Sequence, residues 1–347
     1  MSGDERAARW KERGGYFRWA PGDGAAEEVG VFHVESGGPD APVLLLVHGF
    51  PTCSIDWYEV VELLADRYRV CTLDFPGYGF SDKPLGWGYG IARDAELLAF
   101  YVREILGAGP VVVMAHDRGS SVALNYALAT SAGGPDGATA PAVEHLVLTN
   151  ANLFLPLSNL TDFQRVVLDA TTAPAMLERL TPALLAAGMG STTFSPPRPP
   201  DHPDVEALTA TFTHADGIRV LHETIQYLRE RAEHEREWLE LLAGRDIPTT
   251  VIWGLLDTVS PPRVAAHVWS EFLMLKPGRN RFYLVPGANH YLQVDRPEAV
   301  AAAFLHAEDR GSDPTPGQIG PEPGSPVLVD GSRPRLPSPS EVLAGKP

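Results

Sequence analysis

Val111-Val112-Val113-Met114-Ala115-His116-Asp117-Arg118-Gly119-Ser120-Ser121-Val122-Ala123-Leu124-Asn125-Tyr126-Ala127 decides the fold. An apolar strand runs into a sharp turn, and the run from Val122 to Ala127 has helical character. Small residues at Ala115 and Gly119, two positions on either side of Asp117, are what so tight a turn requires, because larger side chains there would collide. A strand–turn–helix of this kind lifts its central residue above the sheet, where nucleophiles sit. A solvated loop aspartate is the plainer reading, but the flanking small residues argue against it. The central residue is a carboxylate rather than a hydroxyl. Serine needs a neighbouring base before it attacks and suits an acyl carbon. Aspartate is already ionised at neutral pH and can attack an sp³ carbon directly, leaving an alkyl ester on the enzyme. That ester must then be hydrolysed by water, a step that calls for a histidine base.

Outward from this turn, other apolar runs read as strands covered on both faces: residues 42–47, 68–73, 143–149, 249–253 and 281–285. Alternation with amphipathic stretches predicts an α/β fold, a mostly parallel doubly wound sheet with helices on both sides. The rhythm breaks between about residues 153 and 245, which read as helices with a proline-rich bend, SPPRPPDHPD, at 195–204. A helical insertion between two strands is expected to cap the strand C-termini, where open α/β sheets bind ligands. The core then comprises residues 26–152 and 246–308. Residues 1–25, charged and rich in glycine, are expected to be loosely held. Residues 309–347, dense in proline, glycine and serine, are expected to be extended, disordered or packed as an irregular arm.

The catalytic partners of Asp117 should come late. His290, in PGANHYLQ, follows the last strand across a glycine turn, and Asp257, in VIWGLLD, follows the strand before it. The order nucleophile, acid, histidine suits this topology. A helix-capping aspartate and a surface histidine are the bland alternatives. His48-Gly49-Phe50-Pro51 directly follows the first strong strand; the backbone N–H groups of Phe50 and Arg118 are expected to converge on an oxyanion, and the Phe50–Pro51 bond is a candidate cis peptide.

The 347 residues are 44% hydrophobic and 21% charged, with a formal net charge of -16. So negative a chain is a poor partner for nucleic acid or anionic membrane, and no apolar run approaches the roughly 18 residues of a membrane span. A small-molecule substrate remains, with an oligomer left open. The charged start lacks a signal core, and the two cysteines, Cys53 and Cys71, read as free thiols, so a cytoplasmic location is expected.

Together HGFP (48–51), Trp57, DFPGYGFSDKP (74–84), HDRG (116–119), WGLLD (253–257) and ANHYLQVDRPE (288–298) resemble the α/β-hydrolase superfamily, in the branch of epoxide hydrolases and haloalkane or haloacetate dehalogenases. HGFPTCSIDWYEV, LDFPGYGFSDKP, the Asn150 to Leu153 region and DGIRVLHETIQYLRERAEHEREW look like the mesoderm-specific transcript group and its bacterial relatives. The resemblance implies an Asp117–His290–Asp257 triad and no cofactor beyond water. Departures from it sort the substrates. Arg118 and Phe50 stand where haloalkane dehalogenases hold halide with tryptophan or asparagine. Arg118 matches one arm of the haloacetate carboxylate clamp, but Ser121 stands where the second arginine belongs, and one arm makes a weaker site. Epoxide hydrolases need a tyrosine in the cap to protonate the opening oxygen, and Tyr227 is the cap's one tyrosine. It falls in a helical pattern from about Ile218 to Ala243, ended by Gly244. There Leu221, Ile225, Leu228 and Ala232 form one apolar stripe. Tyr227 shares a second with Val220, Thr224, Arg231, His234 and Trp238. Packing alone is the competing role for Tyr227; His214 and His222 are the candidates for a second donor. Asp74, Ser81 and Asp82 are expected to fix their loop, and Arg93–Asp94 reads as surface charge. The first reading is an epoxide hydrolase. A carbon–halogen hydrolase with the same triad is the runner-up, and a non-catalytic binding protein is the third.

Overall fold

The computed structural model describes the whole chain except residues 23, 25–26, 131–140, 310, 313–314, 323 and 332–347. Ten strands build one sheet: β1 (Gly15–Trp19), β2 (Val29–Ser36), β3 (Val43–Val47), β4 (Arg69–Leu73), β5 (Val111–His116), β6 (Val143–Thr149), β7 (Thr249–Gly254), β8 (Arg281–Val285), β9 (Gly317–Gln318) and β10 (Val327–Gly331). Their spatial order is β1-β2-β4-β3-β5-β6-β7-β8-β10-β9. The six strands from β4 to β8 run parallel, while β2 and β10 join the two edges antiparallel. The sequence-predicted strands are the parallel six. Every residue of β5 is buried, as a strand covered by helices on both faces must be. The C-terminal ends of β3, β5, β7 and β8 therefore open on the same edge, and the four loops carrying HGFP, Asp117, Asp257 and His290 meet there.

Between β6 and β7 run helices Asp162–Leu168, Ala173–Arg179, Pro182–Thr192, Pro203–Thr213 and Tyr227–Ala243. The predicted single helix from Ile218 to Ala243 is broken. A 3-10 segment His214–Val220 and a short helix Leu221–Thr224 come first. Ile225 and Gln226 are wound tightly, their carbonyls accepting from Leu228 and Arg229 three residues on. Tyr227 thus stands at the first position of the long helix, not inside it. The helix ends as expected at Gly244, whose N–H returns to Glu240.

The two termini are more structured than the composition suggests. Residues 3–13 form a helix started by a reciprocal Ser2–Glu5 cap, and Gly15–Trp19 pairs with β2. Ala7 and Trp10, three apart, form a narrow buried stripe within the charged run, and Trp10 donates to Ser54 Oγ at 2.9 Å. Arg6 ties this helix to Asp204 at 2.6 Å. At the other end Val327–Gly331 pairs with β8 in place of an irregular arm, because Val327-Leu328-Val329 supplies enough apolar surface for an edge strand; residues beyond 331 lie outside the described set. No helix among the described residues is long and apolar enough to cross a membrane.

Candidate active site

Asp117 occupies the turn between β5 and the helix Arg118–Thr130 with φ 45°, the left-handed region that a non-glycine residue enters only when its surroundings enforce it. The enforcement is visible. A Cβ at Gly119 would lie 2.3 Å from the His48 carbonyl oxygen, and one at Gly49 would lie 2.8 Å from Asp117 Cβ. Both glycines let the HGFP loop press against the turn. The Phe50 N–H then donates to Asp117 Oδ2 at 3.1 Å, and the Phe50–Pro51 peptide is cis. His48 fixes the loop from within. Its Nδ1 donates to the Gly49 carbonyl and its Nε2 accepts from the Phe75 N–H at 3.1 Å. Burial holds this imidazole neutral, its pKa brought down to about 3.

His290 and Asp257 come together as their order in the chain predicts. His290 Nδ1 donates to Asp257 Oδ2 at 3.1 Å. The other oxygen, Asp257 Oδ1, accepts from the N–H groups of Val259 and Ser260, both at 2.8 Å. Burial alone would lower the His290 pKa, but Asp257, Asp117 and Asp56 outweigh it, and the result lies above the usual value. For Asp117 burial pushes upward; His290, Arg231, His116 and the Phe50 N–H overcome it, so the carboxyl sits below its usual range. Asp56 takes a hydrogen bond from Thr52 Oγ1, yet burial raises its carboxyl well above the usual value. His116 lies beneath the site, its ring 5.0 Å from that of His290.

Above these groups lies a cavity of about 240 Å³, with Phe50, Pro51, His290 and Tyr291 on its floor side. Leu180, Leu184, Leu185, Gly188 and Met189 line it from the cap helices. Tyr227 is fully buried with its ring 5.6 Å from that of Phe50, and its hydroxyl has no hydrogen-bond partner. Burial and then the nearby Asp117 charge push its pKa well up, so the phenol keeps its proton.

Three expectations need correction. The Arg118 side chain is turned into the protein, paired with Asp94, so it is not offered to a substrate carboxylate. Asp94 is accordingly buried rather than surface charge; helix Ile91–Phe100 packs on helix Arg118–Thr130, which a sequence pattern alone does not reveal. His214 and His222 are engaged elsewhere: His214 packs on Phe80, and His222 Nδ1 donates to the Val167 carbonyl at 2.6 Å, whereas Tyr227 packs on Phe50, whose N–H bonds Asp117. Asp74 does fix its loop, accepting from the Ser54 and Phe80 N–H groups. Two residues were given no site role by the sequence reading. Asn150, at φ 39°, donates to the Asn289 and His290 carbonyls and accepts from the Gly254 N–H, binding the ends of β6 and β7 to the histidine loop. Arg231, placed only in a helical stripe, reaches the turn at Asp117, with Nη2 3.4 Å from the Asp117 carbonyl oxygen. Among the described residues no group of three or more His, Cys, Asp or Glu side chains is arranged to hold a metal.

The chain belongs to the α/β-hydrolase fold family, whose sequence model matches residues 42–297. LipZ of Mycobacterium tuberculosis, named as a hydrolase, is 33% identical, with 85% of this chain and 96% of its own length covered. The human mesoderm-specific transcript homolog protein is 29% identical over 85% of this chain and 86% of its own length, in line with the motif resemblance. Haloalkane dehalogenase 2 of Mycobacterium tuberculosis is 25% identical, covering 79% and 90%. This is a hydrolase of the α/β fold.

Proposed function

We propose that the chain is an epoxide hydrolase working through an alkyl ester on Asp117. The observation that carries the reading is the Asp117 carboxylate on a strained turn, bonded by the Phe50 N–H, with a buried, unpartnered cap phenol, Tyr227, packed on the Phe50 ring. Asp117 attacks a ring carbon, the carbon–oxygen bond breaks, and the released oxygen takes the Tyr227 proton. His290, oriented by Asp257, then removes a proton from water as it attacks the ester carbonyl. The negative oxygen of the tetrahedral species is held by the Phe50 and Arg118 backbone N–H groups. Collapse expels the diol, which takes its proton from His290. The carboxylic acid left on Asp117 returns a proton to the Tyr227 phenolate, closing the cycle with water as the one co-reactant.

A carbon–halogen hydrolase would share the covalent step, and the similarity to haloalkane dehalogenase 2 favours keeping it as the second reading. Against it, Phe50 offers no polar side chain to a departing halide and the Arg118 guanidinium is taken by Asp94. Incubation with styrene-type epoxides and with haloalkanes, following diol and halide separately, divides the two. Diol formation that disappears in Asp117→Ala supports the first reading; halide release without diol replaces it with the second. Turnover of neither class, or full turnover by Asp117→Ala, removes both.

A further inference from the structure

Arg231 enters the site from the cap helix Tyr227–Ala243 and is fully buried. Its Nε donates to Ser121 Oγ at 3.0 Å and its Nη2 to the Asp117 carbonyl at 3.4 Å. Its Cζ stands 4.9 Å from the centre of the Tyr227 ring, and Nη1 has no hydrogen-bond partner. Arg118, whose Cζ is 5.3 Å from the centre of the same ring, is matched by Asp94. Among the described residues no carboxylate forms an ion pair with Arg231. Glu235, one turn further along, gives both its oxygens to the Leu155 N–H. Burying a guanidinium without a direct ion pair is strongly unfavourable, and its longer-range attraction to Asp117 and Glu235 leaves room for a further reason for arginine over a neutral side chain.

The reaction supplies one. Before attack the negative charge of this site is on Asp117. When the Asp117 oxygen bonds to carbon and the epoxide oxygen takes the phenolic proton, Asp117 becomes a neutral ester and the charge passes to the Tyr227 oxygen. Arg231 touches both stations: it bonds to the peptide of the first and lies against the ring of the second. Resting on the epoxide reading above, we propose that Arg231 is a positioning residue that keeps one fixed positive charge beside the migrating negative charge, so that Tyr227 can release its proton in a water-poor site. A preorganised charge of this kind costs no reorganisation at the moment of reaction.

The test uses the full chain with styrene oxide as probe, in a His290→Gln background where the ester accumulates. Ester is followed by intact mass. The background variant should accumulate it. Adding Arg231→Met should slow ester formation roughly 10²-fold. Arg231→Lys should recover most of the rate, because it restores charge. In a Tyr227→Phe background the Arg231→Met effect should vanish, as expected for two residues acting through one charge. Thermal melts confirm that each variant is folded. Ester formation by Arg231→Met at the background rate overturns the assignment, as does an undiminished Arg231→Met effect in the Tyr227→Phe background. Absence of ester in the background variant instead overturns the epoxide reading and this inference with it.

Discussion

Acid should separate the two chemical steps of the proposed cycle. Attack needs Asp117 ionised; ester hydrolysis needs His290 neutral. The site moves these titrations apart. Asp117 is lowered from 3.8 by His290, Arg231 and His116 against the opposing effect of burial. His290 is raised from 6.5 because Asp257, Asp117 and Asp56 overcome burial. At about pH 4.5 at least about four-fifths of Asp117 is ionised, so attack keeps most of its rate. His290 stays paired with Asp257 when Asp117 has become a neutral ester, and acid removes its base form, so hydrolysis should slow by about 10-fold or more, some 1.4 kcal/mol on its barrier. Rapid-quench single turnovers of the unmodified protein, read by intact mass, should show little ester at neutral pH and accumulated ester near pH 4.5. If both steps fall together, or if ester is no more abundant in acid than at neutrality, the charge arrangement argued for Asp117 and His290 is wrong.

Other consequences follow from particular contacts. Tyr227→Phe should lower the rate of attack on epoxides by roughly 10²- to 10⁴-fold, the usual contribution of a positioned acid, without changing ester hydrolysis; single-turnover rates of the two steps check this. Asp94→Ala leaves the buried Arg118 guanidinium unmatched and should cost about 3–5 kcal/mol of stability, read as a shift in the urea midpoint at constant slope. A Cβ at Gly188 would meet nothing within 4 Å, yet that residue lines the cavity. Gly188→Leu should therefore raise KM for the longest members of a terminal-epoxide series by roughly 10-fold or more and leave the shortest unchanged; uniform effects along the series would contradict the lining.

What the sequence made legible was what is carried by local pattern. The six parallel strands are continuous apolar runs, and the turn at Asp117 has small residues where sterics demand them. The pairing of His290 with Asp257 could be anticipated because each follows a recognisable strand. The N-terminal helix was hidden because Ala7 and Trp10 are only two apolar contacts among charges, and their value depends on Ser54 and the cap helix they meet. Asp94 was misplaced for a related reason: a charged residue on an amphipathic helix reads as solvated, and only tertiary packing reveals that Arg118 waits for it. Arg231 was placed on the stripe of Tyr227, but its reach to the Asp117 turn depends on how the cap packs. Asn150 entered only through the motif resemblance, and its role was hidden because its three hydrogen bonds join loops separated by more than a hundred residues.

The central claim is that a carboxylate oxygen of Asp117 bonds to substrate carbon. Peptide mapping of the His290→Gln protein after exposure to styrene oxide tests it most directly. The account predicts one modified peptide spanning Asp117, heavier by the whole mass of the epoxide, and no such peptide when Asp117 is replaced by alanine. Modification at another residue, or diol production with Asp117 never labelled under any quench, would contradict it.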